Sequence, residues 1–427
     1  MCRHLLISIL SALALSAQAQ KLETPSTILN DQLPKWVRFS FDHRFRFENY
    51  QALRFQQNND DQWLLNRFRI NMTLQPGSWF SFTFQAQDAR VFFKQIPAGA
   101  ATFTNRTDLR MAFIDFGDMA KSRIALRFGR QELAYGEDRL LGAANWGNVA
   151  RTFDAAKLVL RQGPNQLDLF SASVVRIQPR GLSHHTPGNN LHGAYFFWRN
   201  LLPGASFEPY FFWRLSRAAN GRTDRRVIGL RWLGPLPARL DYSTEFVQQF
   251  GNTGPNDIRA FASHLVLRYS FARAKKWKPH WLAEYNYASG DKNPNDRLST
   301  TFDQIYPTPH NKTGLADQIG WVNIHNVSTT FDFTPWPKFV VRAGLHDWHL
   351  VQANDALYLT NGSLVYRDPT GRSGTHIGQE ADILGTYTNG PHIVSFGYGK
   401  IFPGPFLKNV SPGSQLHYVF LNVGYRF

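Results

Sequence analysis

Arginine recurs at two-residue spacing in this chain, as Arg44 with Arg46 and again as Arg67 with Arg69. A planar guanidinium can meet a carboxylate with two parallel hydrogen bonds, so a row of them along one surface would bind or pass anions that carry carboxylates. These rows lie in stretches where apolar and polar residues alternate. In the first, Val37, Phe39, Phe41, Phe45 and Phe47 share one parity, and Arg38, Ser40, Asp42, Arg44, Arg46 and Glu48 share the other. In a strand the two sets point to opposite faces. An arginine facing hydrocarbon at mid-bilayer costs roughly 2 to 4 kcal/mol, so a strand with phenylalanines on one face must turn its arginines toward water.

The elements that must position them follow from the same rhythm. From Trp36 to Phe427 about eighteen short alternating stretches succeed one another, which describes an all-β, single, antiparallel up-and-down transmembrane barrel. Tight connections are built from turn-forming residues: Gln75-Pro76-Gly77-Ser78, Gly117-Asp118-Met119-Ala120, Gly163-Pro164-Asn165, Leu202-Pro203-Gly204, Gly234-Pro235, Thr334-Pro335-Trp336-Pro337 and Asn389-Gly390-Pro391. Between them lie longer segments, at 51–62, 90–107, 132–152, 178–190, 291–320, 351–375 and 402–414. Short periplasmic turns and long external loops are the outer-membrane pattern. The last strand sets Val419, Leu421, Val423, Tyr425 and Phe427 against Tyr418, Asn422, Gly424 and Arg426. A barrel of this size is wide enough for an aqueous channel.

Composition narrows the class. Residues 1–19 read as a secretory signal, with Leu5 to Leu15 as its apolar core and Ala17-Gln18-Ala19 as its cleavage site. Residues 20–35 then form a periplasmic lead, and 36–427 the barrel. Past the signal no stretch is long and apolar enough for a spanning helix. The single cysteine, Cys2, lies in the signal, so no disulfide framework is expected. The formal charge of +16 points to an anionic partner, and in part to outer-membrane lipid at the rim. Nucleic acid is not among the expected partners, and no cofactor is expected.

Parity yields further lumen candidates. Leu64, Phe68, Ile70, Met72 and Leu74 leave Arg67, Arg69, Asn71 and Thr73 inside, and Ile124, Leu126 and Phe128 leave Arg123, Arg127 and Gln131. Arg239, Asp241, Ser243 and Glu245 oppose Leu236, Leu240, Tyr242 and Phe246. His264, Arg268 and Ser270 follow, then Glu284 and Asn286, then Arg342 and His346. From Thr107 to Phe116, either Leu109, Met111 and Phe113 face lipid or Ala112, Ile114 and Phe116 do; the first reading hides Arg110 and is preferred. Arg130, Glu132, Glu137, Asp138 and Arg139 crowd together, as they would if the connection folds inward as a constriction or if an Arg/Glu network pins it.

Other chemistry is weaker. Asp291, Asn293 and Asn295 begin like a calcium loop but lack the glycine and distal glutamate that complete one, so a polar external loop is preferred. In His346-Asp347-Trp348-His349 the two histidines point to opposite faces of a strand, which argues against a site. Ser183 beside His184 lacks a third partner for hydrolysis, and no enzyme is expected.

Two runs, GRQELAYGEDRLLGAANWGNVARTFDAAKL from Gly129 to Leu158 and EYNYASGDKNPNDRLSTTFDQIYPTPHNKTGLADQIGWVNI from Glu284 to Ile324, resemble the alginate export family of outer-membrane proteins. GQEADI from Gly378 and GYGKIFPGPFL from Gly397 to Leu407 fit too. The resemblance implies an eighteen-stranded barrel in a Gram-negative outer membrane, with an electropositive constriction that conducts an anionic polyuronate, and a periplasmic secretion scaffold as a further partner. It also implies roles for Arg130 and Glu132 of the GRQE motif, and for Arg151 and Asp154 of the RTFD portion, although Arg130 shares parity with the outward Leu126 and Phe128. A porin for uptake of small anions or oligosaccharides is the alternative expectation, and an outer-membrane hydrolase a lesser one.

Overall fold

The computed structural model describes residues 24–96, 100–199, 201–218, 221–271 and 277–427, so the expected signal segment lies outside the described residues. Eighteen antiparallel strands form a closed barrel. They are β1 (Val37–Gln51), β2 (Asp61–Leu74), β3 (Phe80–Phe92), β4 (Asn105–Phe116), β5 (Ile124–Gln131) and β6 (Phe153–Gln162). Then come β7 (Asn165–Arg176), β8 (His184–Arg199), β9 (Ser206–Ala218), β10 (Gly221–Leu236), β11 (Leu240–Thr253) and β12 (Asn256–Ser270). The last six are β13 (His280–Ala288), β14 (Ile324–Trp336), β15 (Phe339–Leu350), β16 (His376–Asn389), β17 (His392–Pro403) and β18 (Leu416–Arg426). Each pairs with the next, and β18 returns to β1 from Asp42 opposite Arg426 to Gln51 opposite His417. Closure leaves no sheet edge, as a strand structure in lipid requires.

The alternation holds along most of the wall. Phe45, Phe47, Ile124, Phe128, Leu345 and Leu421 are exposed on the outside, while Arg44, Arg46, Arg67 and Arg69 are buried within. The lead carries a short helix, α1 (Pro25–Asp31), capped by Thr24. Asn30 ties it to β1 by donating to Phe39 O at 2.8 Å and accepting from Phe39 N at 2.8 Å.

Three local expectations are corrected. The turn expected at Gly234-Pro235 forms three residues later, where Pro237 opens a single 3₁₀ turn and Ala238 and Arg239 take positive φ. Gly234 and Pro235 remain in β10, and Arg239 is an exposed turn residue rather than part of the wall. The connection expected over 178–190 is shorter, because His184 and His185 already pair with β7. On β4 the preferred reading holds only for Leu109 and the other reading takes over beyond a bulge, so Met111 and Phe113 face the lumen rather than lipid. Gln85 pairs with Met111 and Ala86 with Leu109, leaving Arg110 as the extra residue. Asp108 and Arg110 therefore point inward with Leu109 outward, and beyond the bulge Asp115 points inward with Phe116 outward.

The lumen has a core of its own. The connection at 132–152 and the one at 289–323 turn into the external half of the barrel and bond to each other. Tyr306 N donates to Leu140 O at 2.9 Å, Gly142 N to Tyr306 O at 2.8 Å and Thr308 N to Asp138 O at 2.8 Å. Leu140, Leu141, Phe302, Ile305, Leu315, Ile319 and Trp321 from these connections pack with Trp63, Phe153 and Trp348 of the wall. Burial of apolar area drives this packing as it would in a soluble domain. Trp321 sits at its centre, 1% exposed, packed edge-on against Phe302 and donating Nε1 to Tyr287 O at 3.0 Å.

Because this core is separate from the lipid-facing wall, its loss should weaken the interior and spare the barrel. Trp321→Ala is expected to cost about 3 to 5 kcal/mol of the plug's packing. Heat-modified gel mobility should show a barrel that still folds, while proteolysis of 289–323 becomes faster; unchanged protection would contradict the packing described.

Candidate functional site

Five arginines of β1, β2 and β4 converge where the inturned connection at 132–152 meets the wall. Its tip offers backbone carbonyls as acceptors. Arg44 donates to Asn145 O at 2.9 Å and Gly147 O at 3.0 Å, and Arg67 donates to Asn145 O at 3.1 Å. Arg46 donates to Trp146 O at 2.5 Å and pairs with Glu48. Its guanidinium lies 3.8 Å from the centre of the Trp146 ring, which stacks at 3.7 Å on His310 from the second inturned connection. Arg69 donates to Gln87 at 2.7 Å and to Asn145 Oδ1 at 3.0 Å. Arg110, delivered by the β4 bulge, donates to Gln85 at 2.6 Å and pairs with Glu132.

These contacts leave donors over. Arg44 Nε, Arg67 Nε, Arg69 Nη2 and Arg110 Nε are buried with no protein acceptor. An unmet buried N–H is costly, and all four belong to residues that line one space. That space is an open cavity of 690 Å³ on the periplasmic side of the loop tip. Arg44, Arg67, Arg69, Arg110 and Arg426 line it, against the side-chain carboxylates of Asp42 and Glu132. Asp42 is shared by Arg67 at 3.1 Å and Arg426 at 3.3 Å. Burial works to raise the Glu132 carboxyl, but Arg110 outweighs it and holds the group below the usual range. The cavity keeps a net positive charge.

The opposite side of the lumen is neutralised. Glu137, on the same inturned connection, lies 3.4 Å from Arg231, 3.2 Å from His264 Nε2 and 3.5 Å from Arg139, and accepts from Ser243 at 2.7 Å. Arg139 continues to Glu284 at 2.7 Å. Arg231 also pairs with Glu208 at 3.1 Å, and Arg214 and Arg225 enclose Asp303. Glu245 accepts from Tyr210 at 2.6 Å. These ladders pin both connections to β9 through β13.

Other candidates take different places. Arg127 is held by Asp115 in a two-bond pair at 2.6 and 2.8 Å and lies 3.9 Å from the Phe113 ring centre. Arg342 makes the same kind of pair with Asp332 at 2.7 and 2.9 Å. Arg268 faces the lumen as an exposed residue near the periplasmic mouth. Arg151, partly buried, donates to the carbonyls of Gly142, Tyr306 and Pro307, joining the two inturned connections; desolvation pushes its pKa down to about 10, so it stays charged at neutral pH. Arg130 keeps the outward parity of Leu126 and Phe128. It pairs there with Asp154 at 2.8 Å and donates to Ser183 O at 2.8 Å, so these two lie away from the basic cluster. Arg239, in its turn, is distant as well.

In the expected calcium loop, Asp291 and Asn293 oxygens each cap the backbone amide two residues on, at 3.0 and 3.3 Å, which makes them turn residues. Ser183 Oγ accepts from Gln178 N at 3.1 Å and Asn105 at 3.4 Å, while His184 contacts Gln178 and His185 O. No nucleophile and base meet there.

The sequence reading missed Asn145, Trp146 and Gly147, which act largely through carbonyls, and Arg214, Arg225 and Arg231. Alternation on β10, with Ile228, Leu230 and Trp232 on one face, was a sufficient signal for Arg225 and Arg231. On β9 both faces are aromatic, and Arg214 gave none.

A family model described as alginate export matches residues 35–422. Among solved structures the barrel is similar to Pseudomonas aeruginosa OccK8 (OprE), with TM-score 0.65 at 10% identity over 92% of this chain and 98% of that one. It is also similar to OccK3 (OpdO) of the same organism, with TM-score 0.59 at 13% identity over 95% and 99%. OpdK, solved with vanillate, gives 0.58 at 11% identity over 91% and 98%. A search of curated proteins finds no match.

Glu137 sets a pH dependence. Burial works to raise its carboxyl, but His264, Arg139 and Ser243 hold it well below the usual range. A lowered folded-state pKa contributes stability that is complete above the unfolded value of about 4.3 and is lost as pH falls through the lowered one. Single-channel conductance should therefore be steady from neutral pH down to about 5 and become noisy only in stronger acid. Glu137→Gln should bring that noise to neutral pH by costing about 1 to 3 kcal/mol of loop anchoring. Quiet channels in the variant would exclude this anchoring role.

Proposed function

The chain belongs to the alginate export family, and from that premise we propose that its arginine-lined lumen passively conducts an anionic polysaccharide of the alginate-like polyuronate class. That it is a channel of the Gram-negative outer membrane follows from the family and the closed barrel. The observation that supports the finer reading is the excess of guanidinium groups around one open cavity, Arg44, Arg67, Arg69, Arg110 and Arg426 against Asp42 and Glu132.

A polyuronate presents about one carboxylate per sugar, and a guanidinium bonded to a carboxylate is held more strongly than by the carbonyl and amide oxygens that take most of these arginines' N–H groups now. Several modest sites in succession let a chain advance, whereas one tight site would hold it. The carboxylates of Asp42 and Glu132 within the same cavity weaken the grip. No reaction and no cofactor enter this account. The driving force comes from outside the chain, from a periplasmic scaffold that supplies polymer.

A second reading, uptake of small anions or oligosaccharides, draws support from the two connections that cross the lumen, which favour compact solutes over a thick polymer. OpdK, a relative in fold, was solved with the small aromatic acid vanillate.

Planar-bilayer recording separates the readings. Reversal potentials should show anion selectivity, and micromolar polyuronate chains added to the periplasmic side should block the current while monomeric uronate does not. Arg67→Gln and Arg69→Gln should each lower the anion preference several-fold, whereas Arg127→Gln, whose guanidinium is already saturated by Asp115, should leave it nearly unchanged. Cation selectivity of the native protein would overturn the proposal, and block by monomers alone would favour small-anion uptake.

A further inference from the structure

Outside the lumen, a second cluster forms where β15 and β16 reach the external rim. Asp347 and His349 are two residues apart on β15 and so share its outward face, with Leu345 below them exposed to lipid. His376 of β16 stands directly opposite His349. Its Nε2 lies 2.9 Å from Asp347 Oδ1, and His349 Nε2 lies 3.3 Å from Asp347 Oδ2. The two imidazoles stack at 4.6 Å, and one ligand atom from each of the three residues falls within 4.8 Å of the others.

Regular pairing would not produce this. Trp348 pairs with Gly378 and His349 with His376, so Ile377 is the extra residue of a bulge. Without it, Ile377 would stand opposite His349 on the outer face; instead it is fully buried. Two glycines make the bulge possible. Gly378 has φ +148 and a Cβ there would lie 2.3 Å from Phe402 O, while a Cβ on Gly404 would lie 3.0 Å from His376 Nδ1. A bulge that re-aims one side chain is a recurrent way of completing a site.

We propose that Asp347, His349 and His376 form a binding site for a divalent transition metal of the Zn²⁺ type on the membrane-facing rim. Two imidazoles and a carboxylate are the donor set such ions take. Tetrahedral bonds of about 2.0 to 2.2 Å place donor atoms roughly 3.3 to 3.6 Å apart, so small side-chain rotations from the present geometry suffice. Three protein ligands leave a position for water or for an anionic headgroup oxygen. The side chains are 34 to 43% exposed, which gives an ion its entry path. An apolar groove of 460 Å³ between Trp281, Leu345 and Phe402 begins at Asp347 and runs down the outer wall, so the cluster marks the upper limit of the apolar band.

The test is titration of untagged, detergent-folded protein with Zn²⁺ against a chromophoric chelator. One Zn²⁺ per chain is expected, weakened about tenfold or more in His376→Ala and in Asp347→Asn. His376→Cys, which keeps a zinc ligand at the position, should retain binding, and His392→Ala at the opposite end of the barrel should bind as the native protein does. Zn²⁺ should also raise the temperature of heat modification in the native protein and not in His376→Ala. Absence of stoichiometric binding, or equal binding by native protein and His376→Ala with both shown to be folded by gel mobility, would overturn the site and reduce the cluster to a hydrogen-bonded ladder.

Discussion

A guanidinium on a lipid-bounded wall has one direction in which to point, and once there its N–H groups need acceptors. That requirement organises the interior. Arg44, Arg46 and Arg67 cannot turn outward past Phe45, Phe47 and Phe68, and they find the backbone carbonyls of Asn145, Trp146 and Gly147 instead. The connection at 132–152 is therefore drawn into the barrel by polar contacts at its tip and by Leu140 and Leu141 along its length. Arg151 then couples it to 289–323 through three carbonyls. Neither force alone accounts for the arrangement: apolar burial fills the external half of the lumen, and guanidinium satisfaction sets how far the tip reaches.

The same chemistry gives the lumen two unlike sides. On β9 and β10 the inward arginines Arg214, Arg225 and Arg231 are matched by inturned or wall carboxylates, Asp303 for the first two and Glu137 and Glu208 for the third, and their charge is largely cancelled there. On β1, β2 and β4 the acceptors are mostly neutral carbonyls, so charge is left uncancelled beside the open cavity. The asymmetry arises because a carbonyl satisfies a hydrogen bond without cancelling a charge.

Much of this architecture was legible because a two-residue period survives wherever one face of a strand meets lipid. Phe45, Phe47, Leu345 and Leu421 declared the outer wall, and with it the inward set that includes Arg44, Arg67 and Arg69. Legibility failed where the inner face also met apolar groups. Tyr210 and Phe212 point into the packed interior while Phe211 points to lipid, so β9 shows no alternation and hides Arg214. It failed again at one-residue irregularities: the bulges at Arg110 and Ile377 change which face a residue occupies, and neither leaves a mark in composition. The shift of a turn to Pro237 moved Arg239 out of the wall by the same sort of small displacement. Carbonyl acceptors are the extreme case, since every residue carries one and only the fold decides which are aimed at an arginine.

The resemblance to a family located the important segment without explaining it. The GRQE and RTFD motifs flank the inturned connection, yet Arg130 and Asp154 hold each other on the outward parity while Glu132 alone reaches the basic cavity. Their pairing has a mechanical consequence. Arg130 and Asp154 join β5 to β6 at the point where the chain leaves the wall, and Arg130 also reaches Ser183 O beside β8. An inturned segment of this length transmits any pull at its tip to its two roots. A two-bond guanidinium–carboxylate pair across those roots holds β5 against β6 at the point where the connection departs, and so anchors the segment whose tip Arg44 and Arg67 hold.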